Sequence, residues 1–159
     1  MAGGWDISAI ITVESGYPFT VFANDFSNTG SFSPRPDRTC SGELDNRSIT
    51  KWFDDSCFTT AALEADLANG NPRFGNAGRN ILTGPGLVNL DTSLIKRFTI
   101  HERVSGEFRL EVFNLFNHPN YGRPDNFLDD GFTGQISSTV GAGGTGSNRE
   151  MQLGLSLHF

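Results

Sequence analysis

The chain has 159 residues, enough for one ordinary domain, and its net charge of −6 excludes a generic nucleic-acid binder because no basic stripe is present. Hydrophobic residues make up 36% and charged residues 19%, both below the averages of globular proteins, while 19 Gly and 7 Pro predict many turns. The 14 Phe residues argue against intrinsic disorder, which is typical of chains with few aromatic residues.

The N-terminal residues predict a β-strand. No basic residue lies between Met1 and Asp6, so a secretory signal peptide is not expected there, and no apolar run in the chain approaches the ~18 residues of a membrane helix. From Trp5 to Glu14 the odd positions are apolar and the even positions are mostly polar. This period of two predicts a strand at about 5–17.

A long segment rich in Asn, Asp, Gly, Pro and Ser follows at 18–86, and a compact soluble domain rarely tolerates a loop of that length. Within it we predict a short helix over 61–68, with Thr60 as its N-terminal cap and Gly70 at its end. A further turn of helix is predicted around 49–53.

The same segment holds the two cysteines of the chain, Cys40 and Cys57. Two cysteines are too few for a disulfide-stapled miniprotein, and they do not resemble a zinc site, which usually has four closely spaced ligands. The pair is either a disulfide formed in an oxidising compartment or two unrelated free thiols, and the sequence leaves both readings open.

Three more alternating segments predict strands at about 87–100, 104–116 and 149–159. The first two are joined by the short turn at 101–103, whereas the last follows a long loop at 117–148. This loop ends in glycines that formally match a dinucleotide-binding fingerprint, at Gly141, Gly143 and Gly146. Because a strand rather than a helix follows them, we interpret the glycines as a loop tip.

The order of short and long connections indicates an outer-membrane β-barrel. Such barrels have short turns at the periplasmic end and long loops at the extracellular end, with strands that are apolar outward and polar toward the lumen. We therefore predict an all-β fold, namely an antiparallel four-stranded meander from a transmembrane barrel, with two long extracellular loops and at most short helices in those loops.

Aromatic residues support this topology, because barrels carry aromatic girdles at both membrane interfaces. The residues predicted near periplasmic strand ends are Trp5, Phe98, Phe108 and Phe159, and those near extracellular ends are Tyr17, Phe19, Phe113 and Phe116. Lys96 falls on the apolar face close to the periplasmic end, where its ammonium can reach the interface.

Several motifs carry a family resemblance. They are the opening Gly4-Trp5-Asp6-Ile7-Ser8, the run from Phe74 to Leu82, Gly84-Pro85-Gly86, the run from Asn89 to Leu94, and the run from Glu111 to Asn120. Together, and in this order, they resemble the end of TonB-dependent receptors of the Oar-like group. The terminal residues Leu153, Leu155, Leu157 and Phe159 resemble the C-terminal signal that the barrel-assembly machinery reads.

The resemblance implies a barrel of about 22 strands with an N-terminal plug, which imports a scarce ligand with energy relayed through TonB. Residues 1–159 are then the C-terminal segment of such a barrel and cannot transport alone. The implied location is the bacterial outer membrane. The implied partners are outer-membrane lipid, the barrel-assembly machinery, and the remaining strands and plug of the same receptor. TonB would be contacted only through N-terminal parts that this sequence lacks.

Five charged residues on the polar faces are candidates to line the lumen: Asp91, Arg97, Glu107, Arg109 and Glu111. They either keep the lumen wet and contact the plug, or bind ligand directly. Pairing Ile100 with Val104 sets a hairpin register. In that register Arg97 lies opposite Glu107, an attractive cross-strand pair, whereas a slip by two residues would place Arg97 opposite Arg109.

The main alternative is a small secreted β-sandwich module that binds, for example, carbohydrate, with its apolar faces buried against each other. We expect no enzyme activity, no cofactor, no metal site and no nucleic-acid partner. His101, His118 and His158 lie far apart without metal-ligand spacing. Acidic clusters such as Asp54–Asp55 lack the spacing of an EF-hand, and the sequence leaves calcium binding open.

Overall fold

The computed structural model describes residues 3–32, 34–128, 130–141 and 147–159. The predicted loop tip falls largely on residues 142–146, which lie outside the described part. The chain divides into two compact units. The sheet unit comprises residues 1–15, 86–120 and 139–159, and the connector unit comprises residues 16–85 and 121–138.

The described residues form eight strands, one α-helix and one 3₁₀ turn. In chain order these elements are β1 (Trp5–Glu14), β2 (Pro18–Phe19), β3 (Asp37–Arg38), the 3₁₀ turn (Asp55–Cys57), β4 (Phe58–Thr59), α1 (Ala61–Ala68), β5 (Leu82–Thr83), β6 (Leu87–His101), β7 (Val104–Phe113) and β8 (Glu150–His158). The all-β prediction, with a helix only inside a connection, is confirmed.

The sheet unit is a four-stranded antiparallel sheet in the order β1-β6-β7-β8. A two-residue turn, Glu102–Arg103, joins β6 to β7 at what we call the turn end of the sheet. The opposite edge is the loop end, where Glu14 pairs with Leu87 and Phe113 pairs with Glu150. Both long connections leave and re-enter the sheet at the loop end, as the meander prediction requires.

Two strands are shorter than predicted. β1 stops at Glu14 rather than at residue 17, because its partner β6 begins directly after Pro85-Gly86 and a proline donates no ladder hydrogen bond. β7 stops at Phe113 rather than at residue 116, because Asn114 adopts a left-handed conformation with φ of 50°.

The hairpin register is confirmed at its charged pair and corrected at its turn. Arg97 pairs with Glu107, as the sequence predicts. Val104, however, pairs with His101 and not with Ile100, because a bulge interrupts the ladder between Thr99 and His101. The bulge adds one residue on the β6 side of the turn and extends β6 to His101.

The connector unit has a hydrophobic core of its own, which the sequence did not predict for a segment read as loops. Its buried apolar residues are Phe19, Val21, Ala23, Phe53, Cys57, Phe58, Ala77, Leu82 and Leu128. Phe53 packs against two other rings, with centroid distances of 5.7 Å to Phe19 and 5.9 Å to Phe58. Two short ladders, β2 with β5 and β3 with β4, connect distant parts of this unit.

A disulfide joins Cys40 to Cys57 in the connector unit. Cys57 ends the 3₁₀ turn and is buried, and the β3–β4 ladder lies beside the bond. Of the two readings that the sequence left open, the structure therefore has the bonded one.

The helix predictions are confirmed for one element and wrong for the other. Helix α1 spans Ala61–Ala68. Its C-cap residue is Asn69, which is followed by Gly70 with φ of 76°. Thr60 occupies the N-cap position as predicted, but its hydroxyl makes no cap hydrogen bond to the helix backbone and donates to the Glu64 carboxylate at 2.7 Å. No described helix is long and apolar enough to cross a membrane.

The turn of helix predicted around 49–53 lies instead at Asp55–Cys57. Its cap is Asp54, whose carboxylate accepts a hydrogen bond from the Ser56 amide. At the predicted position Ser48 and Lys51 exchange backbone hydrogen bonds of 3.0 and 3.2 Å, which form an isolated turn.

The motif that begins at Phe74 is held by a buried carboxylate and a tight backbone approach. Asp37 accepts two hydrogen bonds from the Arg73 guanidinium, at 3.0 and 2.7 Å, and one from the Asn76 backbone amide at 3.0 Å. A Cβ at Gly75 would lie 2.1 Å from the Arg35 carbonyl oxygen, so only glycine fits. The Arg73 guanidinium, followed by the Asn76 amide, holds the pKa of Asp37 below its usual range.

Asp37→Asn is expected to lower the free energy of unfolding by about 1–3 kcal/mol at neutral pH, since it removes the charge that Arg73 binds. Because the pKa of Asp37 is lowered on folding, its contribution is complete above the unfolded value of about 4 and is lost as the pH falls through the folded value. The difference between wild type and variant in urea unfolding should therefore shrink below about pH 4.

Asp66→Asn is the matched control, because Asp66 binds the same guanidinium at 2.5 Å but its side chain is much more exposed than that of Asp37. Its effect should stay within about 1 kcal/mol. Equal losses in the two variants would contradict a special role for the buried pair.

Candidate functional site

The strand register sorts the sheet into two faces, because successive side chains of a strand point to opposite sides. We call one face the apolar band. Its members are Trp5, Ile7, Ala9, Ile11, Val13, Val88, Leu90, Thr92, Leu94, Lys96, Phe98, Gly106, Phe108, Leu110, Val112, Met151, Leu153, Leu155 and Leu157. The other side, which we call the polar face, carries Asp, Glu, Arg, Ser and Gln side chains.

The apolar band is uncovered. One cross-strand row of the band consists of Ile7, Leu94, Leu110 and Leu153. At the two ends of this row, Ile7 is 78% exposed and Leu153 is 73% exposed. The alternative of a β-sandwich predicts that these side chains pack into a dry core, whereas in the described part of the chain they are exposed. An apolar surface of this extent requires an apolar environment.

Aromatic residues lie at the turn end of the band. Trp5, Lys96 and Phe108 share one row, and the Lys96 ammonium lies 4.7 Å from the centre of the Trp5 ring. In the next row the Phe98 ring covers Gly106, where an added Cβ would lie 2.5 Å from the ring. Three of the four girdle residues predicted at this end, Trp5, Phe98 and Phe108, therefore lie on one face.

Two residues of the other predicted girdle are placed differently. Phe19 is buried in the core of the connector unit, and Phe113 lies on the polar face beside Glu150. The prediction failed for Phe113 because it counted distance from the strand end and ignored that odd positions of β7 face away from the band.

The five predicted lumen candidates all lie on the polar face, and four of them belong to an ion-pair ladder across the sheet. Arg97 binds Asp6 at 2.6 Å and Glu107 at 2.9 Å. Arg109 binds Glu107 at 3.1 Å and reaches Glu111 at 3.9 Å. The sequence interpretation missed Asp6, although its even position in β1 was the signal that could have found it.

At the loop end the polar face meets a turn that Asn114 organises. The Asn114 amide donates to Asp91 at 2.8 Å, its side-chain oxygen accepts from the His118 amide at 3.0 Å, and its side-chain nitrogen donates to the carbonyls of His118 and Ser147. This network uses both the oxygen and the nitrogen of the Asn114 side chain. Asn114, which lies in the run from Glu111 to Asn120, therefore fixes the backbone conformation at the loop end of the sheet.

A family model described as an outer membrane beta barrel domain matches residues 1–152. The chain belongs to this family. No curated protein and no solved structure matches the chain. Membership places the barrel domain in the outer membrane, and it explains why the apolar band is uncovered, since lipid is the environment that such a face contacts.

The residues that resemble the C-terminal assembly signal lie at one edge of the sheet. Leu153, Leu155 and Leu157 belong to β8 and point to the apolar band, and Phe159 follows the last strand residue. Within the described residues β8 and β1 each pair on one side only. The described residues contain no group of three or more His, Cys, Asp or Glu side chains placed to hold a metal ion.

Proposed function

We propose that the barrel domain forms part of the wall of a TonB-dependent receptor, which takes up a scarce ligand through the outer membrane. The observation that carries the proposal is the two-faced sheet, with an uncovered apolar band on one side and the charged ladder on the other. Paired charges of this kind fit the water-filled interior of a transporter barrel rather than a dry core.

The connections support the same orientation. The two-residue turn would lie in the periplasm and the two long connections would lie outside the cell, as in other barrels. A disulfide suits the oxidising side of the membrane, and the connector unit carries one between Cys40 and Cys57. We infer that this unit shields the mouth of the receptor or contributes to ligand capture.

Four strands cannot close a barrel, since the smallest barrels have about eight. We therefore propose that further strands of the same receptor pair with the outer edges of β1 and β8, and that a plug sits inside the water-filled lumen and contacts TonB. The barrel-assembly machinery would recognise the β8 side chains and Phe159. In this role the barrel domain is not an enzyme and needs no cofactor.

The proposal is tested by a photocrosslinking amino acid placed at Ser93 on the polar face or at Ile7 on the apolar band, in the native outer membrane. Ser93 and Ile7 lie on neighbouring strands and differ in the face on which they lie. The Ser93 position should crosslink to a plug segment of the same receptor, and the Ile7 position should crosslink to lipid.

Crosslinks from Ser93 to lipid would show that the faces are assigned the wrong way round. Crosslinks from Ser93 to protein segments that are not a plug would leave an outer-membrane barrel but contradict a TonB-dependent receptor. Mass spectrometry of the crosslinked peptides distinguishes these outcomes.

A further inference from the structure

A recess of about 250 Å³ opens on the polar face between β1, β6 and β7. Its lining includes two carboxylates, two hydroxyls and two large apolar side chains, from Asp91, Glu111, Ser8, Ser93, Ile10 and Phe113. The register explains the grouping, since Ile10 pairs with Asp91, and Ser93 lies between Ser8 and Glu111. Two sequence motifs, the runs beginning at Asn89 and at Glu111, therefore meet in this recess.

The carboxylate of Asp91 is held in one orientation. One of its oxygens accepts hydrogen bonds from the Asn89 side chain at 2.7 Å and from the Asn114 amide at 2.8 Å. Among the described residues no cation forms an ion pair with Asp91, and Glu111 reaches only Arg109, at 3.9 Å. The recess thus presents two negative charges with little compensation.

The face as a whole has the same sign. It carries six carboxylates and two guanidinium groups, which belong to Asp6, Glu14, Asp91, Glu107, Glu111, Glu150, Arg97 and Arg109. Arg97 and Arg109 lie nearer the turn end than Asp91 does, so the potential at the recess favours a positively charged ligand.

Two apolar side chains interrupt the polar face at this point. Ile10 is 66% exposed and Phe113 is 40% exposed, and each is flanked along its own strand by a polar residue of the same face. Neither side chain belongs to the hydrophobic core cluster. An aromatic ring beside carboxylates is a favourable setting for an organic cation, because the face of the ring attracts positive charge.

We propose that this recess binds the cationic group of a ligand, a primary ammonium or a guanidinium that carries an apolar substituent. Asp91 and Glu111 would be its counter-ions, Ser8 and Ser93 would accept its remaining hydrogen bonds, and Phe113 and Ile10 would flank its apolar part. The inference deepens the proposed function and rests on it, since the recess must face the water-filled lumen for a ligand to reach it.

The probe is 2-(4-fluorophenyl)ethylammonium, titrated into the full chain in zwitterionic detergent micelles and followed by fluorine NMR. The comparison compound is the neutral alcohol 2-(4-fluorophenyl)ethanol. Asp91→Asn and Glu111→Gln should each weaken binding of the cation about tenfold, because one charge-assisted contact is worth roughly that factor. Asp6→Asn removes the same charge from the same face outside the recess and should change binding less than about twofold.

Equal weakening in all three variants would reduce the effect to the overall charge of the face and overturn the site. Equal binding of the alcohol and the cation, or cation binding that neither recess variant weakens, would overturn it as well. Failure of the proposed function is seen separately, because reversed crosslinks from Ser93 and Ile7 do not depend on this probe.

Discussion

Leu153→Arg is expected to lower the free energy of unfolding in a bilayer by about 2–4 kcal/mol, the cost measured for arginine on the lipid face of a barrel. Leu153 is exposed on the apolar band and pairs with Leu110, well away from both ends of the sheet. A guanidinium there has no polar partner within the band and lies too far from the interface to reach it easily. Urea unfolding of the full chain in phosphatidylcholine vesicles, followed by tryptophan fluorescence, measures the loss.

Gln152→Arg is the matched control, because it places the same group one residue earlier on the opposite face, where Gln152 pairs with Glu111. Its effect should stay within about 0.5 kcal/mol. A larger loss in Gln152→Arg than in Leu153→Arg would mean that the polar face, rather than the apolar band, contacts lipid.

Phe53→Ala is expected to cost about 3–5 kcal/mol, since truncation of a fully buried ring removes its apolar contacts and leaves a cavity. Phe53 is 1% exposed and contacts the rings of Phe19 and Phe58 in the core of the connector unit. The loss should appear as faster hydrogen exchange of backbone amides that are bonded within this unit, such as that of Trp52, which donates to the Gly134 carbonyl.

Phe74→Ala removes the same side chain from an exposed position of the connector unit, where Phe74 is 58% exposed. It should cost less than about 1 kcal/mol and leave hydrogen exchange nearly unchanged. Equal exchange in the two variants would show that residues 16–85 behave as an unpacked loop without a core.

The strands were predictable because successive side chains of a strand point to opposite faces, so a strand with one apolar face has an apolar residue at every second position. The pairing of Arg97 with Glu107 was also predictable, since opposite charges select one register of a hairpin among few. The turn itself was not, because a bulge changes the count by one residue without changing the alternation on either side. Phe113 was predicted as a girdle residue, and only the register brings its side chain and that of Ile10 to one recess.

The connector unit shows where sequence reasoning fails. Its contacts join residues that are far apart in the chain, such as Arg73 with Asp37 and Phe19 with Leu82. In a strand or a helix, buried residues recur at a fixed spacing along the chain. In irregular backbone they have no fixed spacing, so the sequence pattern does not show which residues are buried. A core was therefore read as loop, and the disulfide between Cys40 and Cys57 was left open.

By itself the sequence determined the all-β fold class, the four long strands and the division into an apolar and a polar face. These features follow from local alternation and from the lengths of the connections. The tertiary structure alone decided the core of the connector unit, the extension of the Arg97–Glu107 pair into a ladder from Asp6 to Glu111, and the recess beside Asp91. Those features depend on which distant residues meet, and that is set by strand register and by non-local packing rather than by any short stretch of chain.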